Sequence, residues 1–84
     1  MNEGLPTVEN ADFGPLLRAH RRDFGLTQEE LAERCGLSDR AIRDLERGRV
    51  RRPRRATVEL LRDALGLGGR DAVRFLDVAR GELR

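Results

Sequence analysis

Tryptophan, tyrosine and lysine are absent from these 84 residues, and cysteine, histidine and methionine occur once each. Each absence excludes something. A single thiol, Cys35, permits neither an internal disulfide nor a cysteine-based zinc cluster, which suits a reducing compartment. His20 has no second histidine or cysteine pair with which to bind a metal, and no partner for acid–base work. No apolar run approaches the roughly 20 residues that cross a bilayer, and Met1–Pro6 lacks the basic start and apolar core of a secretion signal. A soluble, cytoplasmic chain with no membrane partner is expected. No nucleophile with an activating base, glycine-rich phosphate loop or metal spacing can be assembled. The expectation is therefore a protein that is not an enzyme and uses no cofactor, and no small-molecule ligand is evident.

What is present is charge. Charged and hydrophobic residues each make up 38% of the chain, and all 17 basic residues are arginine. The net charge of +2 conceals an uneven distribution. Residues 1–33 carry three arginines against seven acids, residues 34–62 carry ten against four, and residues 63–84 balance. Positive charge packed into the middle third points to a polyanionic partner. The length suits a single domain, which buries only about 60–65% of the surface its unfolded chain exposes. A deep substrate cavity is not expected.

Leu, Ala, Arg and Glu dominate over β-branched and aromatic residues, which favours helix over strand. Residues 1–11 lack periodicity and read as a flexible arm, residues 12–81 as the folded domain, and 82–84 as a tail. Phe13, Leu16, Leu17 and Phe24 form a first helical stripe, with Asp12 or Gly14 as its cap and Gly25 as its stop. Thr27 and Glu30 have capping-box spacing and open a second helix of about eight residues, carrying Leu31, Ala32 and Cys35 inward. Ser38 caps a third helix over 39–47, with Ala41, Ile42 and Leu45 inward. Gly36-Leu37-Ser38 leaves so little slack that these two helices must pack at a steep angle, with Leu37 in the joint. After a basic loop broken by Pro53, Thr57 is expected to cap a fourth helix bearing Val58, Leu61, Ala64 and Leu65. A fifth, over 70–80, has Val73, Leu76 and Ala79 as its stripe. Phe75 lies off that stripe, which suits either an exposed dimer contact or a broad core face.

The motifs Leu16-Leu17-Arg18, Phe24 through Ala32, Gly36-Leu37-Ser38, Ile42, Leu45-Glu46-Arg47-Gly48, Arg52-Pro53 and Ala64-Leu65-Gly66 appear in order without an internal gap. In this combination the chain resembles the helix-turn-helix proteins of the phage repressor and Cro (XRE) family. It is similar above all to the N-terminal domains of actinobacterial regulators. The resemblance implies an all-α, five-helix lambda-repressor-like fold with the helix-turn-helix at helices 2 and 3. It implies double-stranded DNA as partner, with base-reading positions that match Asp39, Arg40 and Asp44. It also implies phosphate contact at Gln28, a backbone clamp just beyond the third helix, and an ion pair between Arg21 and Glu46.

The residues support a similar reading on their own. With Ala41, Ile42 and Leu45 inward, Asp39, Arg40, Arg43, Asp44 and Arg47 are left facing out. Arginine can bond guanine bidentately, and a carboxylate can accept from cytosine. Asp44 can equally orient a neighbouring arginine, and Asp39 has a sufficient role at the positive end of its helix. Thr27, Gln28 and Ser38 stand at helix starts, where hydroxyl, amide and free backbone N–H groups suit a phosphate oxygen. Arg47, Arg49, Arg51, Arg52 and Arg54 are candidates for the phosphate clamp, while Arg55 reads as a solvated charge. His20 is expected at or near the surface and Cys35 as packing. The expected function is transcriptional regulation through sequence-specific DNA binding. A homodimer would read half-sites about one helical turn apart. The alternative is a protein-interaction or adaptor module on the same fold, possibly part of a larger regulator. Unpaired RNA is disfavoured because aromatics for stacking are lacking.

Overall fold

Two of the five helices begin where a hydroxyl closes the first turn. A computed structural model describes residues 12–50 and 52–81. The arm expected over 1–11, the tail expected over 82–84 and Arg51 lie outside the described residues. Five helices follow in order: α1 (Phe13–Phe24), α2 (Gln28–Cys35), α3 (Asp39–Glu46), α4 (Arg55–Ala64) and α5 (Gly69–Arg80). There is no strand among the described residues.

At the start of α2, Thr27 Oγ1 accepts from the Glu30 backbone N–H at 3.0 Å, and Glu30 Oε1 accepts from the Thr27 N–H at 2.8 Å. This reciprocal bonding satisfies two N–H groups that the helix itself leaves unpaired. Ser38 Oγ accepts from the Ala41 N–H at 3.1 Å and opens α3 in the same manner. The preceding helices end on Gly25 (φ 87°) and Gly36 (φ 77°), left-handed conformations that a Cβ disfavours. Only Gly36, Leu37 and Ser38 separate α2 from α3, and half-buried Leu37 packs on the core.

Leu17, Leu31, Ile42, Leu61, Val58 and Phe75 form the fully enclosed centre. α1 packs on α3 and α5, α2 on α3 and α4, and α4 on α5. α3 is thereby supported on its inner side by both α1 and α2, while its opposite side faces solvent. Gly14 makes the α1–α3 contact possible. A Cβ there would lie 2.5 Å from the Glu46 carbonyl oxygen and 2.8 Å from that of Leu45.

Three expectations are corrected, and the two alternatives for Phe75 are resolved in favour of the core face. α4 begins at Arg55 with Arg54 as its cap residue and no side-chain cap bond; Thr57 sits in its first turn, because the chain becomes helical directly after the extended Pro53-Arg54 segment. On α5 the buried face is Phe75, Val78 and Ala79, whereas Leu76 is only half-buried and Val73 is 59% exposed. Phe75 is not a surface contact: it is enclosed between Phe13, ring to ring at 4.9 Å, and the edge-on imidazole of His20 at 5.9 Å. Phe24 leaves the stripe of α1 and stays 44% exposed, with the Arg34 guanidinium over its ring at 4.8 Å. Smaller differences lie at helix ends. Asp12 stands before α1 without a side-chain cap bond, α3 closes at Glu46 with Arg47 as its cap, and Ala41 is half-buried. Among the described residues, no helix is long and apolar enough to cross a membrane.

Candidate nucleic-acid interface

Burial of Ile42 and Leu45 fixes the rotation of α3 about its axis. At about 100° per residue, Arg40, Arg43, Asp44 and Arg47 then fall within an arc of about 100° on the opposite side, with Asp39 at its edge. Arg40, Arg43, Arg47 and Asp39 are exposed, and Asp44 is half-buried. Asp44 lies between two cations: Oδ2 is 3.9 Å from Arg40 Nε and Oδ1 is 3.9 Å from Arg49 Nη1. These separations exceed hydrogen-bond range, so the carboxylate keeps its acceptor sites while the guanidinium groups offset its charge. Among the described residues, Arg43 and Arg47 have no carboxylate within salt-bridge distance.

Beside this arc, the end of α3 is joined to α1 and α2 through Glu46. Its carboxylate accepts from Arg21 Nε at 2.6 Å, Arg21 Nη2 at 3.0 Å and Gln28 Nε2 at 3.0 Å. Arg21 Nη1 also donates to the Leu26 carbonyl at 2.8 Å, in the turn before α2. The Glu46 side chain is 4% exposed. Burial by itself would raise the Glu46 pKa, but the hydrogen bonds from Arg21 and Gln28 and the charges of Arg21 and Arg18 outweigh it and hold the carboxyl below its usual value. On the Arg21 side, the hydrogen bond to Glu46 raises the pKa further. The three side chains lock the start of α2 to the end of α3.

An open cleft of about 520 Å³ lies over this lock, lined by Arg18, Arg21, Thr27, Gln28, Glu46 and Arg47. Gln28 spends one amide N–H on Glu46 and keeps the other. The capping box consumes the Thr27 and Glu30 N–H groups, leaving those of Gln28 and Glu29 without a partner in the helix. The Thr27 and Ser38 hydroxyls act as acceptors in their caps, and each O–H remains a donor. The cleft therefore presents N–H and O–H donors between two exposed arginines, an arrangement suited to an anionic oxygen.

The remaining arginines separate. Arg49 returns to α3 through Asp44. Arg52 reaches the far end of α5, where its guanidinium lies against Gly81, about 3.5 Å from where a methyl would stand. Gly81 and Arg47 line a common second cleft of about 370 Å³. Arg54 is exposed at the start of α4, and Arg55 pairs with Glu59 one turn on at 3.0 Å. The sequence motif that contains Arg18 assigns it no site role. It lies in α1, outside the arginine-rich middle of the chain, and only the packing of α1 on α3 brings it to Gln28. Cys35 is buried, its thiol within 3.8 Å of the Ala32 carbonyl, and desolvation pushes its pKa up. That combination makes it a packing group.

Residues 12–76 match the family described as a helix-turn-helix domain. Over 34 residues the chain is 59% identical to an uncharacterized HTH-type transcriptional regulator from Methanothermobacter thermautotrophicus, a match covering 40% of this chain and 49% of that protein. The chain thus spans about half the length of that relative. It is also similar to the clp gene regulator ClgR from C. glutamicum in its crystal structure. There the identity is 31% and the TM-score 0.68, with 95% of this chain and 97% of that one covered.

Proposed function

This chain belongs to the helix-turn-helix domain family, and from that premise we propose that it regulates transcription by binding double-stranded DNA sequence-specifically, with α3 in the major groove. The observation that carries this reading is the shared side of Arg40, Arg43, Asp44 and Arg47, next to a donor-lined cleft at the start of α2. In this arrangement α3 enters the groove while α2 crosses the backbone. Arg40, Arg43 and Asp44, with Asp39 at the edge, meet base edges. Thr27, Gln28, Ser38 and Arg47 hold phosphates, joined by Arg18 across the cleft and Arg49 beside Asp44. Arg52 and Arg54, which follow α3 in the chain, are further candidates for phosphate contact, as is Arg51, which lies outside the described residues. Arg21 and Glu46 carry no DNA contact and hold α2 and α3 in register. The role is binding rather than catalysis. Two copies on one operator would contact half-sites about one helical turn apart.

Asp39 and Asp44 favour a competing reading, in which the same arginines engage an acidic protein and the domain serves as an adaptor. Competition binding separates the two. The parent chain is expected to prefer one duplex over random DNA, and Arg40→Ala to reduce that preference roughly tenfold while leaving most of the random-duplex affinity intact. An adaptor shows no preference among duplexes, and Arg40→Ala then changes nothing in the ranking.

A further inference from the structure

The side chains on the outer arc of α3 also restrict which base pairs it can read, an inference that rests on the DNA-binding reading above. Each base presents a different edge in the major groove. Guanine offers two acceptors, matched by two guanidinium N–H groups, and cytosine offers an amino donor, matched by a carboxylate. Adenine offers an acceptor and a donor side by side, which a side-chain amide matches in two bonds; thymine adds a methyl group for apolar contact. The arc of α3 holds only arginines and aspartates. Among the described residues Gln28 is the one side-chain amide, and it lies on α2, bonded to Glu46. Of the apolar residues of α3, Ile42 and Leu45 are buried and Ala41 is half-buried.

We infer that α3 reads G·C pairs, with Arg40 and Arg43 on guanine and Asp44 on cytosine, and that A·T pairs contribute no direct amide contact. The local geometry supports the division of labour. Arg40 directs Nε toward Asp44, which leaves its terminal N–H pair for a base, and its side chain is 83% exposed. Asp44, flanked by Arg40 and Arg49, keeps its charge compensated as it approaches a polyanion. Residues four apart on a helix stand about 5–6 Å from each other, and successive bases on one strand rise about 3.4 Å. The guanine met by Arg40 and the cytosine met by Asp44 therefore lie one or two steps apart.

Selection from a random duplex pool with the full chain tests this. The expected half-site has a G·C core with a guanine and a cytosine one or two steps apart. Replacing that guanine with 7-deazaguanine, which lacks the N7 acceptor, should weaken the parent roughly tenfold and leave Arg40→Ala unaffected. Asp44→Asn should lose the preference for cytosine at one position and keep it elsewhere. A half-site whose invariant core is A·T, or indifference of the parent to 7-deazaguanine at every core guanine, overturns the inference while leaving DNA binding intact. Failure to bind or enrich any duplex defeats the DNA-binding reading itself, and this inference with it.

Discussion

Glu46 accepts three hydrogen bonds from two other helices, so a single carboxylate sets both the register of α2 against α3 and the pose of Gln28. Removing one partner of a buried pair leaves the other charge uncompensated, typically a cost of about 3–5 kcal/mol. Glu46→Gln keeps the shape and loses the charge, and is expected to lower the unfolding free energy by roughly 3 kcal/mol in urea titration. The pH dependence follows from the direction of the shift. Glu46 ionises more readily folded than at its ordinary value of 4.5. Its contribution to stability is thus complete above that value and is lost as pH falls through the lower folded value. Urea midpoints measured from about pH 6 to about pH 3 should fall in the parent and fall less steeply in Glu46→Gln. An identical slope in both proteins would mean that other carboxylates govern acid unfolding. The resemblance to a known family implied the Arg21–Glu46 pairing. The engagement of Gln28 in the same network was not legible, because 18 residues of chain separate it from Glu46.

Helix starts and helix faces differ in how openly the sequence displays them. Thr27 with Glu30, and Ser38, mark the first turns of α2 and α3 because capping involves residues within three positions of each other. Thr57 has the same side chain as Thr27 but caps nothing, since the path from Pro53 makes the chain helical three residues sooner. Along α5 the sets Val73-Leu76-Ala79 and Phe75-Val78-Ala79 both satisfy helical spacing. Phe13 and His20, on another helix, decide between them by enclosing Phe75. Gly14 belongs to this scale as well. In a helix interior Gly→Ala ordinarily gains up to about 1 kcal/mol. Here the new methyl meets two backbone carbonyls of α3 that cannot rotate away. Gly14→Ala should therefore destabilise the protein by about 1–3 kcal/mol, read as a lower thermal midpoint. A raised midpoint would show that α1 can shift off α3 without penalty.

For the molecule as a whole, the quantity that matters is where the cations stand rather than how many there are. Each phosphate neutralised on B-DNA makes the slope of log affinity against log salt steeper by about 0.9. Arg47, which has no salt-bridge partner among the described residues and borders the cleft at Gln28, is expected to flatten that slope by about 0.9 when changed to alanine. Arg55, exposed and already paired with Glu59, should leave it unchanged. Fluorescence anisotropy across a potassium chloride series distinguishes these outcomes, and equal effects at both sites would defeat the placement of the clamp.

By itself the sequence determined the number of helices, most of their ends, and the concentration of positive charge in the middle third. Caps, stops and apolar spacing act within a turn or two, and charge is additive along a chain. Only the tertiary structure decided which side of α5 is buried, that Arg18 from α1 joins the Gln28 cleft, and that Arg52 turns instead toward the end of α5. Those outcomes depend on steric fit and on distances between residues far apart in the chain, and local spacing carries no information about either.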